Sequence, residues 1–260
     1  MKTTDLGDLS GPLLVFGGVY SNLQALQALI AEAKGRGIAA KNMICTGDIV
    51  AYCADAETCV QLVRAAGCVV LMGNCEQQLA SGAADCGCGF EEGTACDVLS
   101  AGWFAHAQKT VSAESCRWMA GLPDRIIFTH AGQRYGVIHG GVTNISKFIW
   151  STDDDTVFDA EFPPETDVIL AGHSGIAFIK PLGAKQWING GAIGMPPNDG
   201  QPETRFVIIE NGTPTIHTLN YDHKTASQRM VDIGLTQGYH VALNTGIWPS
   251  EDVLPNALRR

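Results

Sequence analysis

Three patterns in the 260-residue chain predict an α/β layered fold, a sandwich of mixed β-sheets flanked by helices. Short Val- and Ile-rich runs stop at glycine or a small polar residue, amphipathic stretches separate the early runs, and an Asn-Gly turn joins two late ones. Apolar runs of this length suit strands buried on both faces. Strand–helix–strand alternation followed by antiparallel strands suits stacked layers. No linker, repeat or low-complexity segment divides the chain, so residues 1–260 read as a single domain, with 225–260 as a C-terminal helical extension.

The first strand is expected in Pro12–Gly18. A helix follows over Asn22–Lys34, with Leu23, Leu26, Leu29, Ile30 and Ala33 on one stripe, Ser21 as N-cap, and Gly35 and Gly37 as stops. Met43–Asp48 is the second strand. Asp55–Ala66 is the second helix, with Val60, Leu62 and Val63 apolar and Gly67 beyond its end. A third strand runs through Cys68–Asn74, and a longer helical region spans Glu91–Ala120, ended by Pro123. Further strands are expected at 126–129, 135–140, 167–173 and 187–190. Arg205–Glu210 and Thr215–Leu219, joined by Asn211-Gly212, carry a strong hairpin signal. Thr225–Leu258 reads as one or two helices broken at Trp248-Pro249.

Lys and Arg total 17 against 27 Asp and Glu, a net charge of −10. That balance argues against general nucleic-acid or anionic-membrane binding. No apolar stretch approaches the roughly 18 residues of a membrane span. Residues 1–10 do not read as a secretion signal, so a cytoplasmic protein is expected. The nine cysteines are odd in number, which argues against a disulfide framework. Cys45 and Cys68 lie in apolar runs as small buried hydrophobes. Cys75, Cys86, Cys88 and Cys96 fall in a polar, Gly-rich stretch and are expected unpaired.

Ligands in layered α/β proteins gather beyond the carboxyl ends of strands. Those ends carry Asp48, Asn74, His139 and His173, each flanked by glycine. One such residue is an ordinary turn former. Together, carboxylate, amide oxygen and two imidazoles make a mixed N/O ligand set for a divalent transition metal such as Mn²⁺, Fe²⁺ or Zn²⁺.

Gly47-Asp48, Gly73-Asn74-Cys75-Glu76, His139-Gly140 and Gly172-His173-Ser174-Gly175 resemble, in order, the motif blocks of the calcineurin-like metallophosphoesterases. Gly17–Leu23 lies where that family has Ser-Asp-x-His-Gly-Asn-Leu, and Asn189–Gly194 resembles its Asn-Pro-Gly-Ser-Val-Gly block. The likeness runs from about Leu13 to Leu219 and is nearest to the small bacterial phosphodiesterases and diadenosine-tetraphosphatase-like proteins. It implies an α/β/β/α sandwich and a metal held by Asp48, Asn74, His139 and His173. The family's second metal uses positions that here are Gly18, Tyr20 and Gly175, beside the shared Asp48, so one ion is expected instead of two. The position of the family's leaving-group acid is Cys75.

The resemblance implies a metal-dependent phosphoesterase acting on a small phosphorylated substrate, a phosphomonoester or a small phosphodiester or dinucleotide. Asn74 would help orient the substrate and Cys75 would serve as the acid. The alternative is a non-catalytic descendant that binds a phosphorylated ligand or a protein through the old cleft. One metal can polarise a phosphoryl oxygen and acidify a water, but cannot clamp attacking and leaving oxygens as a pair does. Tyr20 or the loop cysteines are candidate replacements for the lost ligands. Plainer readings hold elsewhere. His106, His130, His217, His223 and His240 are expected on the surface or on helices, and the five tryptophans in core or edge packing. Asp153–Asp155 reads as a solvated turn, and Gly190–Gly194 as a support for the site.

Overall fold

The structure, a computed structural model, describes residues 1–260. Eleven strands form two sheets. The first contains β2 (Leu13–Phe16), β3 (Met43–Cys45), β4 (Val69–Val70), β10 (Thr204–Glu210) and β11 (Thr213–Leu219), in the order β11-β10-β2-β3-β4. The second contains β1 (Thr3–Asp8), β5 (Arg125–His130), β6 (Gln133–Val137), β7 (Val168–Ala171), β8 (Phe178–Leu182) and β9 (Lys185–Asn189), in the order β1-β5-β6-β7-β9-β8. Both are mixed. β2, β3 and β4 run parallel, as do β6, β7 and β9, whereas β10 is antiparallel to its two neighbours.

Side-chain alternation decides the layers. Along β2, Leu13 and Val15 turn into an apolar cluster shared with Phe128, Tyr135, Val137, Leu170 and Ile188 of the other sheet, which joins the sheets face to face. Leu14 and Phe16 turn the other way, into the largest cluster. There they meet the helices α1 (Leu23–Gly35), α2 (Ala56–Ala66) and α4 (Ala95–Thr110). The outer face of the second sheet is covered by a smaller cluster around Trp187 and Phe158, the latter from the short helix α6 (Asp155–Asp159). The result is the expected α/β/β/α layering.

Several elements differ from expectation, each for a local reason. Asn22, not Ser21, caps α1, accepting from the Ala25 N–H through Oδ1 at 3.1 Å. The third apolar run pairs only at Val69–Val70, and Asn74 opens a helix, α3 (Asn74–Ser81). The Glu91–Ala120 region splits at Ser112, whose side chain caps α5 (Ala113–Ala120). β1 escapes an apolar-pattern search because it is a largely exposed polar strand paired to β5 alone. β8 carries Pro181 and lies at a sheet edge, where a missing N–H is tolerated. The Asn211-Gly212 turn forms as expected, with both residues at positive φ, 51° and 80°.

The C-terminal segment contains α7 (His223–Asp232) and α8 (Tyr239–Thr245). Ala226, Met230, Leu235, Tyr239, Ala242 and Leu243 sit in the same core cluster as β2 and α1, and Arg229 pairs with Asp55 at the start of α2 at 2.6 Å. The extension therefore packs as part of the helical layer. Met230→Ala is expected to cost about 2–5 kcal/mol by leaving a cavity under α7. Urea unfolding should show a single transition moved to lower denaturant; an unchanged midpoint would mean that the C-terminal helices do not support the core.

Candidate metal centre

The parallel strands of both sheets end at one edge. Backbone hydrogen bonds tie that edge together: Ile193 N–H donates to Gly17 O at 3.2 Å and Gly194 N–H to Gly18 O at 2.8 Å. The Gly190–Gly194 segment thus braces the loop after β2, as expected. Asp48 follows β3, Asn74 follows β4, His139 follows β6 and His173 follows β7, and all four are buried.

The structure brings these four side chains to one point. His139 Nε2 lies 3.0 Å from Asn74 Oδ1, 3.2 Å from Asp48 Oδ2 and 3.2 Å from His173 Nδ1. The ligating atoms of Asp48, His139 and His173 all fall within 4.8 Å of one another. Bonds of about 2.0–2.2 Å from one ion place neighbouring ligand atoms about 3 Å apart, so these separations suit a shared metal.

The hydrogen bonds around the ligands show what the cluster requires. The Thr46 carbonyl lies 2.6 Å from His139 Nδ1, and a carbonyl only accepts, so Nδ1 carries a proton and Nε2 faces the cluster. Asn74 Nδ2 donates to Cys86 O at 2.9 Å, which turns Oδ1 inward. A carboxylate oxygen, an amide oxygen and two imidazole nitrogens therefore face one another through lone pairs. They repel unless a positive charge sits among them. Without a metal, that charge is a proton on His139. Burial works against it, but the Asp48 carboxylate raises the His139 pKa above its ordinary value. Burial likewise opposes charge on Asp48, yet the two imidazoles and the Cys75 N–H bring its pKa below the usual range. Burial, followed by the charge of His139, pushes His173 down to about 3, so it stays neutral. Three lone-pair donors and one carboxylate fit a divalent transition metal.

Asp48 and His173 both lie in the left-handed region, at φ 59° each, as do Tyr20, Ser21 and Tyr52 beside them. Such backbone costs about 1–3 kcal/mol per residue and needs strong local restraint. Gly47, at φ 102°, lets the turn pass under the cluster, because a Cβ there would lie 2.7 Å from His139 Nδ1.

Glu76 supplies the restraint. Its side chain is fully buried and accepts from the N–H groups of Asp48 (2.7 Å), Ile49 (2.8 Å), Val50 (3.3 Å) and Gly73 (2.9 Å). Burial, then the nearby Asp48, pushes its pKa up to about 7, while the N–H groups oppose that rise. Sequence analysis quoted Glu76 only as the last residue of the Gly73–Glu76 motif block. Its signal was positional: a Glu three residues after the glycine that starts a helix reaches back to the backbone.

Gly18, Tyr20 and Gly175, the positions that the resemblance assigns to a second metal, lie together. A Cβ on Gly18 would collide with the Tyr20 ring, 2.7 Å from Cε1, and one on Gly175 would lie 3.4 Å from the Tyr20 hydroxyl. The phenol ring thus fills the room that side chains at 18 and 175 would share. Burial and the Asp48 charge raise the Tyr20 pKa well above its ordinary value, which keeps the hydroxyl protonated.

Cys75 lies beside Asp48 in a small inner cavity, together with Tyr20, Tyr52, Cys88 and Phe148. Burial and the Asp48 and Glu76 charges push its thiol pKa well up, so the proton stays on sulfur. Cys86 and Cys88 form a disulfide, which corrects the expectation that the loop thiols are unpaired; Cys96 is free. The pairing lies against the metal cluster, with Cys88 Sγ 3.5 Å from Asn74 Nδ2.

Other residues fall mostly as expected. His106, His217, His223 and His240 are half-buried and apart from the cluster, but His130 is buried at the end of β5 against the Leu9 carbonyl, not on the surface or a helix. Trp103 and Trp187 are core residues, whereas Trp150 and Trp248 line an outer cleft that opens at His173. In the Asp153–Asp155 turn, Asp153 accepts from the Trp150 N–H and Asp155 pairs with Lys180.

Glu76→Gln puts an amide NH₂ or an uncharged oxygen where four donors converge. A loss of about 2–4 kcal/mol in stability is expected, together with weaker binding of Mn²⁺ by calorimetry. Wild-type metal affinity in the variant would show that the Asp48 turn holds itself.

Residues 13–212, which include every residue of this cluster, match the calcineurin-like phosphoesterase superfamily domain. An uncharacterised protein of Methanocaldococcus jannaschii is 27% identical over 246 residues, covering 84% of this chain and 91% of its own. A metallophosphoesterase of Sphaerobacter thermophilus has a similar fold, with a TM-score of 0.73 at 22% identity over 92% of this chain and 100% of that one. A hypothetical protein of Pyrococcus horikoshii superposes with a TM-score of 0.75 at 18% identity, over 90% and 98%. No helix is long and apolar enough to cross a membrane. On the extent of the domain match, the chain belongs to the calcineurin-like phosphoesterase superfamily.

Proposed function

We propose that the protein is a metal-dependent phosphoesterase that hydrolyses a phosphomonoester or a small phosphodiester, dinucleotides included, with one divalent ion, Mn²⁺, Fe²⁺ or Zn²⁺. Asp48, Asn74, His139 and His173 would hold it. The observation that carries this reading is the convergence of their lone pairs within 3.0–3.2 Å of His139 Nε2. When bound, such an ion polarises a phosphoryl oxygen and acidifies a coordinated water.

The chain's own groups supply the rest. Thr46 and Cys86 carbonyls fix the faces of His139 and Asn74, so that the site is preorganised before substrate arrives. Asn74 also helps orient the phosphoryl group. In hydrolysis a water oxygen bonds to phosphorus, the ester P–O bond breaks, and the leaving oxygen takes a proton. Cys75 is the proposed donor and regains its proton from the attacking water. Its protonated thiol in the inner cavity supports that role. Seven free cysteines, five of them buried, support a reducing compartment, the cytoplasm.

A second reading, a non-catalytic binder of phosphorylated ligands, is favoured by one observation: the Tyr20 ring fills the space that side chains at Gly18 and Gly175 would take. Purified protein is expected to hold one Mn²⁺ per chain, and His139→Ala almost none. Hydrolysis of bis(p-nitrophenyl) phosphate or p-nitrophenyl phosphate should be lost in that variant. Two ions per chain would overturn the single-site proposal, and metal binding without turnover would establish the binder.

A further inference from the structure

The cleft outside the metal cluster has a composition unusual for a phosphate site. Eleven of its fifteen lining residues are hydrophobic. Its walls include Phe90, Phe148, Trp150, Tyr239 and Trp248, and it opens on His173. The rings are mutually ordered. Phe148 stacks on Trp150 with centroids 5.6 Å apart and planes 2° from parallel, and packs on His173 at 4.3 Å. Tyr239 packs on Tyr52 at 4.6 Å. No Lys or Arg lines this cleft or the inner cavity.

Both halves of that composition bear on the ligand. Flat π-faces beside a phosphate position favour a flat aromatic group through stacking. The missing cations limit charge. Beyond one divalent ion, nothing in the walls compensates a polyphosphate whose oxygens would lose water among aromatic rings. A singly charged diester meets this environment at least cost. Tyr20, Tyr52 and Tyr239 also line the cleft, and a phenol hydroxyl is a neutral donor and brings no positive charge.

We infer that the cleft is a subsite for an aromatic substituent, an aryl group or nucleobase, on a singly charged phosphodiester whose phosphoryl group lies at His173. The inference rests on the proposed phosphoesterase reading and narrows its substrate class, away from polyphosphate esters.

Titration calorimetry of the Mn²⁺-loaded protein tests it with probes that share one head group. Phenyl methylphosphonate and methyl methylphosphonate carry the same single charge and differ only in the ring; phenylphosphonate adds charge. The phenyl ester is expected to bind at least about tenfold tighter than the methyl ester, and phenylphosphonate no tighter than the phenyl ester. Trp248→Leu should reduce the phenyl-over-methyl affinity ratio several-fold. Equal affinity for phenyl and methyl esters in the wild-type protein overturns the inference, as does tenfold preference for the more charged phenylphosphonate. The ester comparison does not depend on a variant folding, and turnover of the phenyl ester is followed separately as released phenol. A protein that prefers the aryl ester but hydrolyses nothing would overturn the enzyme reading and keep this subsite. One that turns over esters while binding phenyl and methyl alike would do the reverse.

Discussion

Four backbone N–H groups end on one buried carboxylate, and the geometry of the metal cluster follows from that contact. Asp48 stands on a turn in the left-handed region, between two sheets and away from water. Such a turn does not hold itself. Glu76 gathers the N–H groups of residues 48, 49 and 50 and of Gly73, which ties the turn after β3 to the start of α3. Asp48 returns the link by accepting from the Cys75 N–H at 3.3 Å. Two adjacent strand ends are thereby locked in register, and each delivers one ligand to the same point.

A buried carboxylate beside another is an electrostatic burden as well as an anchor. Asp48 and Glu76 place two carboxyl groups in a dry site, and the four ligands around His139 Nε2 face one another through lone pairs. A single divalent cation answers both demands, and a lone proton on His139 answers them only in part. This accounts for a one-ion reading from the charge side. Volume favours the same proposal, because the Tyr20 ring lies over Gly18 with its hydroxyl near Gly175. Charge and volume are independent properties, which makes their agreement informative.

The helical layer extends the site outward. Tyr239 of α8 and Trp248 beyond it belong to the C-terminal segment, which also buries Met230 and Leu243 in the main core. Core packing of α7 and α8 thus positions the far wall of the cleft, while Phe148 and Trp150 come from the loop after His139. An α/β edge supplies the chemistry and an aromatic wall from elsewhere in the chain surrounds it.

Strand-end chemistry was legible because it is local. An apolar run fixes where a strand ends, and Asp48, Asn74, His139 and His173 sit at those ends whatever the rest of the chain does. The continuous apolar run of β2 likewise implied two buried faces, and Asn211-Gly212 implied its hairpin. β1 was not legible, since a polar edge strand has no apolar pattern. Neither were the donors that converge on Glu76, the ring of Tyr20 in the space of absent ligands, the Cys86–Cys88 pairing, or the joining of Phe148 and Trp150 with Trp248. Composition and periodicity determine which residues end a strand or face a core, because both are properties of neighbouring positions. Which distant side chains share one volume is set by how the two sheets and the helical layer pack, and that arrangement laid Tyr20 over Gly18 and lined the cleft at His173 with aromatic rings.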